Sequence, residues 1–215
     1  MKARSVLIRV FFLILSSLAP SAFADGAEYV GVDLGSASYS GLRDINGPFG
    51  RYYHTVDTPF VGSSTDHDTA FRLTGGYQFD PYFGLETGYQ DLGQVEIKGS
   101  VTYPALIPSP TPVDNKVHAH GFIAEAVGRW PIADDWALYG RAGGFFDVVD
   151  YEQGIPASST SDRSIKFTYG VGVTWTVSEP VGVKLGWDRF GNLGAPYTTG
   201  QFNVDVFALG LVFTL

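Results

Sequence analysis

The sequence predicts an all-β protein, an eight-stranded antiparallel up-and-down transmembrane β-barrel, on three observations. Apolar and polar residues alternate with period two in segment after segment, the pattern of strands with two unlike faces. Short and long connections between those segments alternate strictly. The polar faces are made of glycine with single charges set between.

Eight segments carry the alternation, roughly 28–39, 69–79, 83–93, 117–130, 136–149, 165–177, 181–191 and 203–215. In the first, Val30, Val32 and Leu34 oppose Gly31, Asp33 and Gly35. The second and third form the hairpin "FRLTGGYQFDPYFGLETGYQDLG" (71–93). It sets Phe71, Leu73, Tyr77, Phe79, Phe83, Leu85 and Tyr89 against Arg72, Gly76, Gln78, Gly84, Glu86 and Gly88. The fourth puts Phe122, Ala124, Ala126 and Trp130 against Glu125 and Arg129. The fifth, opening at Trp136, gives Leu138, Ala142, Phe146 and Val148 against Tyr139, Arg141 and Gly143. In the sixth, Val171, Val173, Trp175 and Val177 oppose Thr168, Gly170, Gly172 and Thr174. The seventh sets Val181, Val183, Leu185 and Trp187 against Gly182, Lys184, Gly186 and Asp188. The eighth sets Phe207, Leu209, Leu211, Phe213 and Leu215 against Ala208, Gly210 and Thr214.

Three connections are tight: "DPY" (80–82), "PIADD" (131–135) and "SEP" (178–180). Four are long and polar: 40–68, 94–116, 150–164 and 192–202, the second stiffened by "PSPTP" (108–112). All short turns therefore lie at one end, together with both chain termini. That is the layout of barrels with short periplasmic turns and long extracellular loops.

Size decides which face looks out. An eight-stranded barrel has an interior just wide enough for side chains to fill, and a ring of Phe, Trp and Leu would overfill it. The glycine-and-charge face therefore points inward and the bulky face outward, to lipid. Aromatics near the strand ends, Tyr77, Phe79, Phe83, Tyr89, Trp130, Trp136, Trp175 and Trp187, form the expected interfacial girdles.

The ends and the charge agree with this reading. Lys2, Arg4 and Arg9, the apolar run "VLIRVFFLILSSLA" and the small residues of "SAFA" make 1–24 a secretory signal peptide, cleaved near Ala24, which leaves 25–215 as the barrel domain. Its removal takes 3 positive charges from a chain of formal net charge −8, leaving −11. Such acidity disfavours nucleic acid as a partner. The absence of cysteine removes disulfide and thiolate chemistry.

Five stretches together resemble the OmpA-like outer-membrane barrel family: "YVGVDLG" (29–35), "GGYQFDPYFGLETGYQDLG" (75–93), "WPIADDWALYGRAGG" (130–144), "GVKLGWDRFGNLG" (182–194) and "FALGLVF" (207–213). The resemblance implies a polar lumen without an open water channel, in which acids and bases pair at mid-height. Glu86 and Lys184 match the family's inward acidic and basic positions, and Arg141 matches an inward arginine. Val127 and Thr174 stand where some members carry further charges. It also implies residence in the outer membrane of a Gram-negative bacterium, contact with its lipid and lipopolysaccharide, and passage through the barrel-assembly machinery during biogenesis. The peptidoglycan-binding domain that follows the barrel in many relatives is not in this sequence, so anchoring to the cell wall is not expected of it.

The lumen charges read from parity are Asp33, Arg72, Glu86, Glu125, Arg129, Arg141, Lys184 and Asp188. Counting outward from "PIADD" places Glu125 about opposite Arg141. These charges either satisfy one another, since unpaired charge does not survive in a tight interior, or gate a narrow ion path. Of the histidines, "HAH" puts His118 and His120 on one strand face, "DHD" sets His67 between carboxylates, and His54 stands alone. Two ligands do not make a metal site, and no G-x-S-x-G nucleophile motif or phosphate loop occurs. No cofactor, metal or catalytic residue is assigned. The expected role is a non-enzymatic envelope protein whose extracellular loops bind a ligand, as in adhesion, phage reception or host contact. The alternative is a small enzyme acting on lipid A or surface peptides, which would need an outward-facing Ser–His or Asp–His pair near the outer leaflet.

Overall fold

The computed structural model describes residues 26–50, 60–101, 111–154 and 157–215. The expected signal peptide 1–24 with its expected cleavage near Ala24, His54 and the start of "PSPTP" lie outside the described residues. Among the described residues nine strands occur: β1 (Ala27–Ser40), β2 (Phe60–Ser64), β3 (His67–Gln78), β4 (Phe83–Val101), β5 (Thr111–Ala133), β6 (Trp136–Gly154), β7 (Ala157–Ser178), β8 (Val181–Leu193) and β9 (Phe202–Thr214). Eight of them close an antiparallel ring in which β1 pairs with both β3 and β9, β3 pairs with β4, and β4 pairs with β5. Closure leaves no unpaired edge in the ring, the condition a sheet must meet to cross lipid.

The turns at one end are tight for local reasons. Asp80 accepts hydrogen bonds from the Tyr82 and Phe83 amides at 2.7 and 2.8 Å, an Asx-type turn that fixes the β3–β4 hairpin. Asp134 and Asp135 alone separate β5 from β6. At the other end the prediction is corrected. The stretches 94–116 and 150–164, read from sequence as polar loops, are largely strand: β4 and β5 pair from Gln94 with His118 up to Val101 with Thr111, and β6 with β7 up to Gly154 with Ala157. Within 40–68, β2 adds a further short strand against the top of β4. The barrel thus stands well above the apolar belt.

Its polarity inverts with height, a second correction. In the lower part the outward face is apolar, from Leu34, Leu85, Phe122, Phe146, Ile165 and Phe207 down to Trp130, Val177 and Leu215. Above it the outward residues are polar, such as Asp114, Lys116, Ser161 and Asn203, while apolar side chains fill the interior. Tyr39, Leu92, Val95, Ile97, Val117, Phe145, Val149, Phe190, Phe202 and Val204 belong to one buried cluster. The upper part therefore obeys the rule of a water-soluble barrel, and the lower part that of a lipid-embedded one. Gly93, at φ +78°, makes the switch on β4. It sits in a bulge between Asp91 and Gln94 that shifts the alternation by one residue, so Val95 and Ile97 face inward and Gln94 and Glu96 outward. On this outer surface Lys98, bonded to Glu96, and Lys116 hold the Glu96 carboxyl below its usual range.

The belt gives a direct test. Leu209 on β9 is 61% exposed and lies between Leu34 and Leu185. Leu209→Arg should cost about 2–4 kcal/mol of folding stability in bilayers. Ser161→Arg, above the belt, should cost nearly nothing. Urea titration in lipid vesicles measures both.

Candidate functional site: a buried ion-pair layer beneath an apolar cluster

The sequence places one or two charged residues on the inward face of each of several strands, and closure of the ring brings them to one level. Asp33, Arg72, Glu86, Glu125, Arg141, Lys184 and Asp188 are all at most 7% exposed. Arg141 is the hub: its Nε and Nη2 donate to the two carboxylate oxygens of Asp188 at 2.7 and 2.5 Å, and its Nη1 to Glu86 at 3.3 Å. Such a two-pronged guanidinium–carboxylate pair is among the stronger charged contacts. Arg72 donates from Nη1 to Glu125 at 3.1 Å and from Nε to Gln90 at 2.7 Å, and lies 3.8 Å from both Glu86 and Asp188. Tyr29 donates to the second Glu86 oxygen at 3.1 Å. Lys184 stands 3.3 Å from Asp33 without the angles of a hydrogen bond, so that pair is held by charge alone.

Small residues make the room. A Cβ on Gly170 would come within 1.9 Å of Asp188 Oδ1, and one on Gly210 within 1.8 Å of Asp33 Oδ1. Both acids lie over bare backbone, which explains glycine on the inward face of the neighbouring strand.

Two sequence expectations need amendment. Glu125 is opposite Gly143, and Arg141 is opposite Val127. The nearest approach of Glu125 to Arg141 is 4.0 Å, and its close partner is Arg72 on β3, reached across β4. Arg129 stands apart from this layer: it lines the lumen below, with a buried Nε that makes no hydrogen bond. Gln90 and Tyr29 were not singled out from sequence, although both have the right parity. Of the aromatics named, Tyr77, Phe79, Phe83, Trp130, Trp136 and Trp175 gather at the short-turn end, where Trp136 and Trp175 stack at 5.7 Å. Tyr89 and Trp187 belong to the upper rim, with Phe122 and Tyr169, also missed, packed edge-on against them.

A cavity of about 490 Å³ enters from the short-turn end, beside Pro180 and Leu215, and reaches Glu86, Arg141 and Lys184. Val127 and Thr174 line it. Above the ion pairs the apolar cluster begins at once: the Arg72 guanidinium lies 5.9 Å from the centre of the Phe190 ring, which packs edge-on against Phe145 at 5.0 Å. Over the top, Phe49 and Leu42 are buried in the same cluster, and the segments around Asn46 and Gln201 are joined by a backbone hydrogen bond of 2.7 Å.

The model of the OmpA-like transmembrane domain family matches residues 24–214, nearly the whole chain. The chain belongs to the OmpA-like transmembrane domain family. It is an integral β-barrel protein of the Gram-negative outer membrane, so the short turns are periplasmic and the upper, water-facing part is extracellular. Outer membrane protein A of Shigella dysenteriae is 27% identical over 206 residues, covering 93% of this chain and 51% of that protein. Outer membrane protein A of Salmonella typhi is 25% identical with the same coverage. The chain thus spans about half the length of these curated relatives. Among solved structures, Neisserial surface protein A matches with TM-score 0.56 at 16% identity, covering 89% of this chain and 99% of that one. The N-terminal barrel of Pseudomonas aeruginosa OprF matches with TM-score 0.51 at 11% identity, covering 89% of this chain and all of its own. These two likenesses are of fold.

Proposed function

We propose that this family member is a plugged structural barrel of the outer membrane, whose extracellular strand extension and loops serve as a binding platform. The observation that carries the reading is the stacking of two seals. A cross-linked ion layer closes the periplasmic cavity, and the apolar plug from Phe190 to Phe49 lies above it. An ion leaving the charge layer upward would have to shed its water among phenylalanines, a cost of many kcal/mol. The charges therefore hold the barrel together rather than gate a path. The paired strands above the belt hold the interaction surface in a defined shape, which suits recognition of a surface ligand or host protein.

Asp91 and His118 form an outward carboxylate–imidazole pair at 3.1 Å, the kind of pair an enzyme of the outer leaflet would use. Among the described residues no side-chain hydroxyl is hydrogen-bonded to His118 or His120, so the pair is not built as a Ser–His type of triad. That favours the non-catalytic role. The conducting alternative is tested in planar bilayers. The purified protein should give no discrete current steps. Steps that change with Glu86→Ala or Lys184→Ala would replace the plug with a gated pore.

A further inference from the structure

Three neighbouring strands bring metal-ligating side chains together on the outer surface, just above the lipid belt. His118 and His120 project from the same face of β5, and Asp150 on β6 lies directly opposite His118. One donor atom from each of the three lies within 4.8 Å of the others. From the other side, Asp91 on β4, paired with His120 in the ladder, accepts from His118 Nε2 at 3.1 Å. The imidazole rings are 4.8 Å apart, and Tyr89 packs 6.2 Å from His120.

We propose that His118, His120 and Asp150 form a binding site for a divalent transition-metal ion of the zinc type, with Asp91 as a positioning residue. Two details carry it beyond proximity. A proton held on His118 Nε2 by Asp91 leaves the Nδ1 lone pair free for a metal, the carboxylate–histidine–metal arrangement that fixes the ring and its tautomer. His120 Nδ1 is buried and has no hydrogen-bond partner. A buried imidazole nitrogen without a partner carries a desolvation cost that a metal bond removes. Two imidazoles and one carboxylate suit zinc, nickel or copper and not the oxygen-seeking calcium or magnesium. A tetrahedral ion with bonds of about 2.1 Å needs donors about 3.4 Å apart, so binding draws the three side chains inward by small rotations. The fourth position remains open to water, as in three-ligand zinc sites. The ion would tie β5 to β6 at the outer-leaflet boundary, above Phe122 and Phe146 on the same outer face.

The test is titration of the folded full barrel in detergent micelles, with Zn²⁺ by calorimetry and Co²⁺ by its visible absorption. Wild type should bind one ion per barrel and give the intense Co²⁺ band of a four-coordinate site. Asp150→Asn should weaken Zn²⁺ binding at least tenfold, and His118→Ala with His120→Ala should abolish it. Asp91→Asn should weaken it by about 10- to 100-fold while keeping the four-coordinate band. His67→Ala, at the start of β3, should bind as wild type. Mobility of the unheated sample on a gel verifies folding of each variant. A wild-type dissociation constant weaker than 1 mM on the order-of-magnitude scale of adventitious surface sites, or unchanged binding in Asp150→Asn and the double histidine variant, would overturn the proposal.

Discussion

Arg141→Leu should lower the unfolding free energy of the barrel by about 3–5 kcal/mol, because it leaves two buried carboxylates without their closest cation. Asp188 loses both prongs of its contact, at 2.7 and 2.5 Å, and Glu86 loses the 3.3 Å bond. Arg72 is 3.8 Å from each and cannot replace bonds of that length. The layer holds four acids, Asp33, Glu86, Glu125 and Asp188, against Arg72, Arg141 and Lys184. Removing one of three cations therefore unbalances the whole layer as well as one pair. Adding Asp188→Leu to Arg141→Leu should recover part of the loss, since deleting both partners costs less than orphaning one. Urea titration in lipid vesicles, read by tryptophan fluorescence and by unheated gel mobility, measures single and double variants together. Equal stability of wild type and Arg141→Leu would mean that these charges are neutralised by water rather than by one another.

Much of the lower barrel was legible because lipid imposes a strict rule on the outward face. Parity alone put Asp33, Arg72, Glu86, Arg141 and Lys184 on the inward faces of their strands, where they are buried. What parity does not supply is the shear of the ring, which decides which inward charge meets which. The two-residue offset between Glu125 and Arg141 has a more local origin. Counting from "PIADD" centres the turn on Ala133, whereas the structure turns at Asp134 and Asp135 after an irregularity between Pro131 and Ala133. The ladder therefore shifts by two residues, and Glu125 meets Gly143. The upper barrel was hidden for a different reason. In "GQVEIKG" the alternation continues, but Gly93 has shifted its phase, so the signal reads as an interruption. In 157–164 the residues are nearly all small and polar, and strand structure there comes from hydrogen bonding to β6 rather than from any pattern. The candidate metal cluster was half visible, as "HAH". Its acids come from strands that only the folded ring places beside it.

Phe190→Ala should act on one half of the molecule. The ring is fully buried at the floor of the apolar plug, over Arg72 on one side and against Phe145 on the other. Truncating it should cost about 3–5 kcal/mol through lost burial and the cavity left behind. The lower barrel is clamped by lipid outside and by ion pairs inside. The extension above is held by its own interior and by strand pairing, with polar residues and water around it. The loss should therefore appear as selective opening of the extension. Amide hydrogen exchange should quicken at Val149, Val117 and Val204, which share the buried cluster with Phe190, and stay slow at Leu138, Val173 and Leu211 in the belt. Phe145→Ala should produce the same asymmetry. Together the two substitutions should cost less than the sum of each alone, because the edge-on contact between the rings can be lost only once, with a coupling of about 0.5–1.5 kcal/mol. Exchange that quickens equally in the belt and in the extension would show that the two halves fold and open as one unit, and that the inversion of polarity at Gly93 marks a change of solvent without marking a boundary in stability.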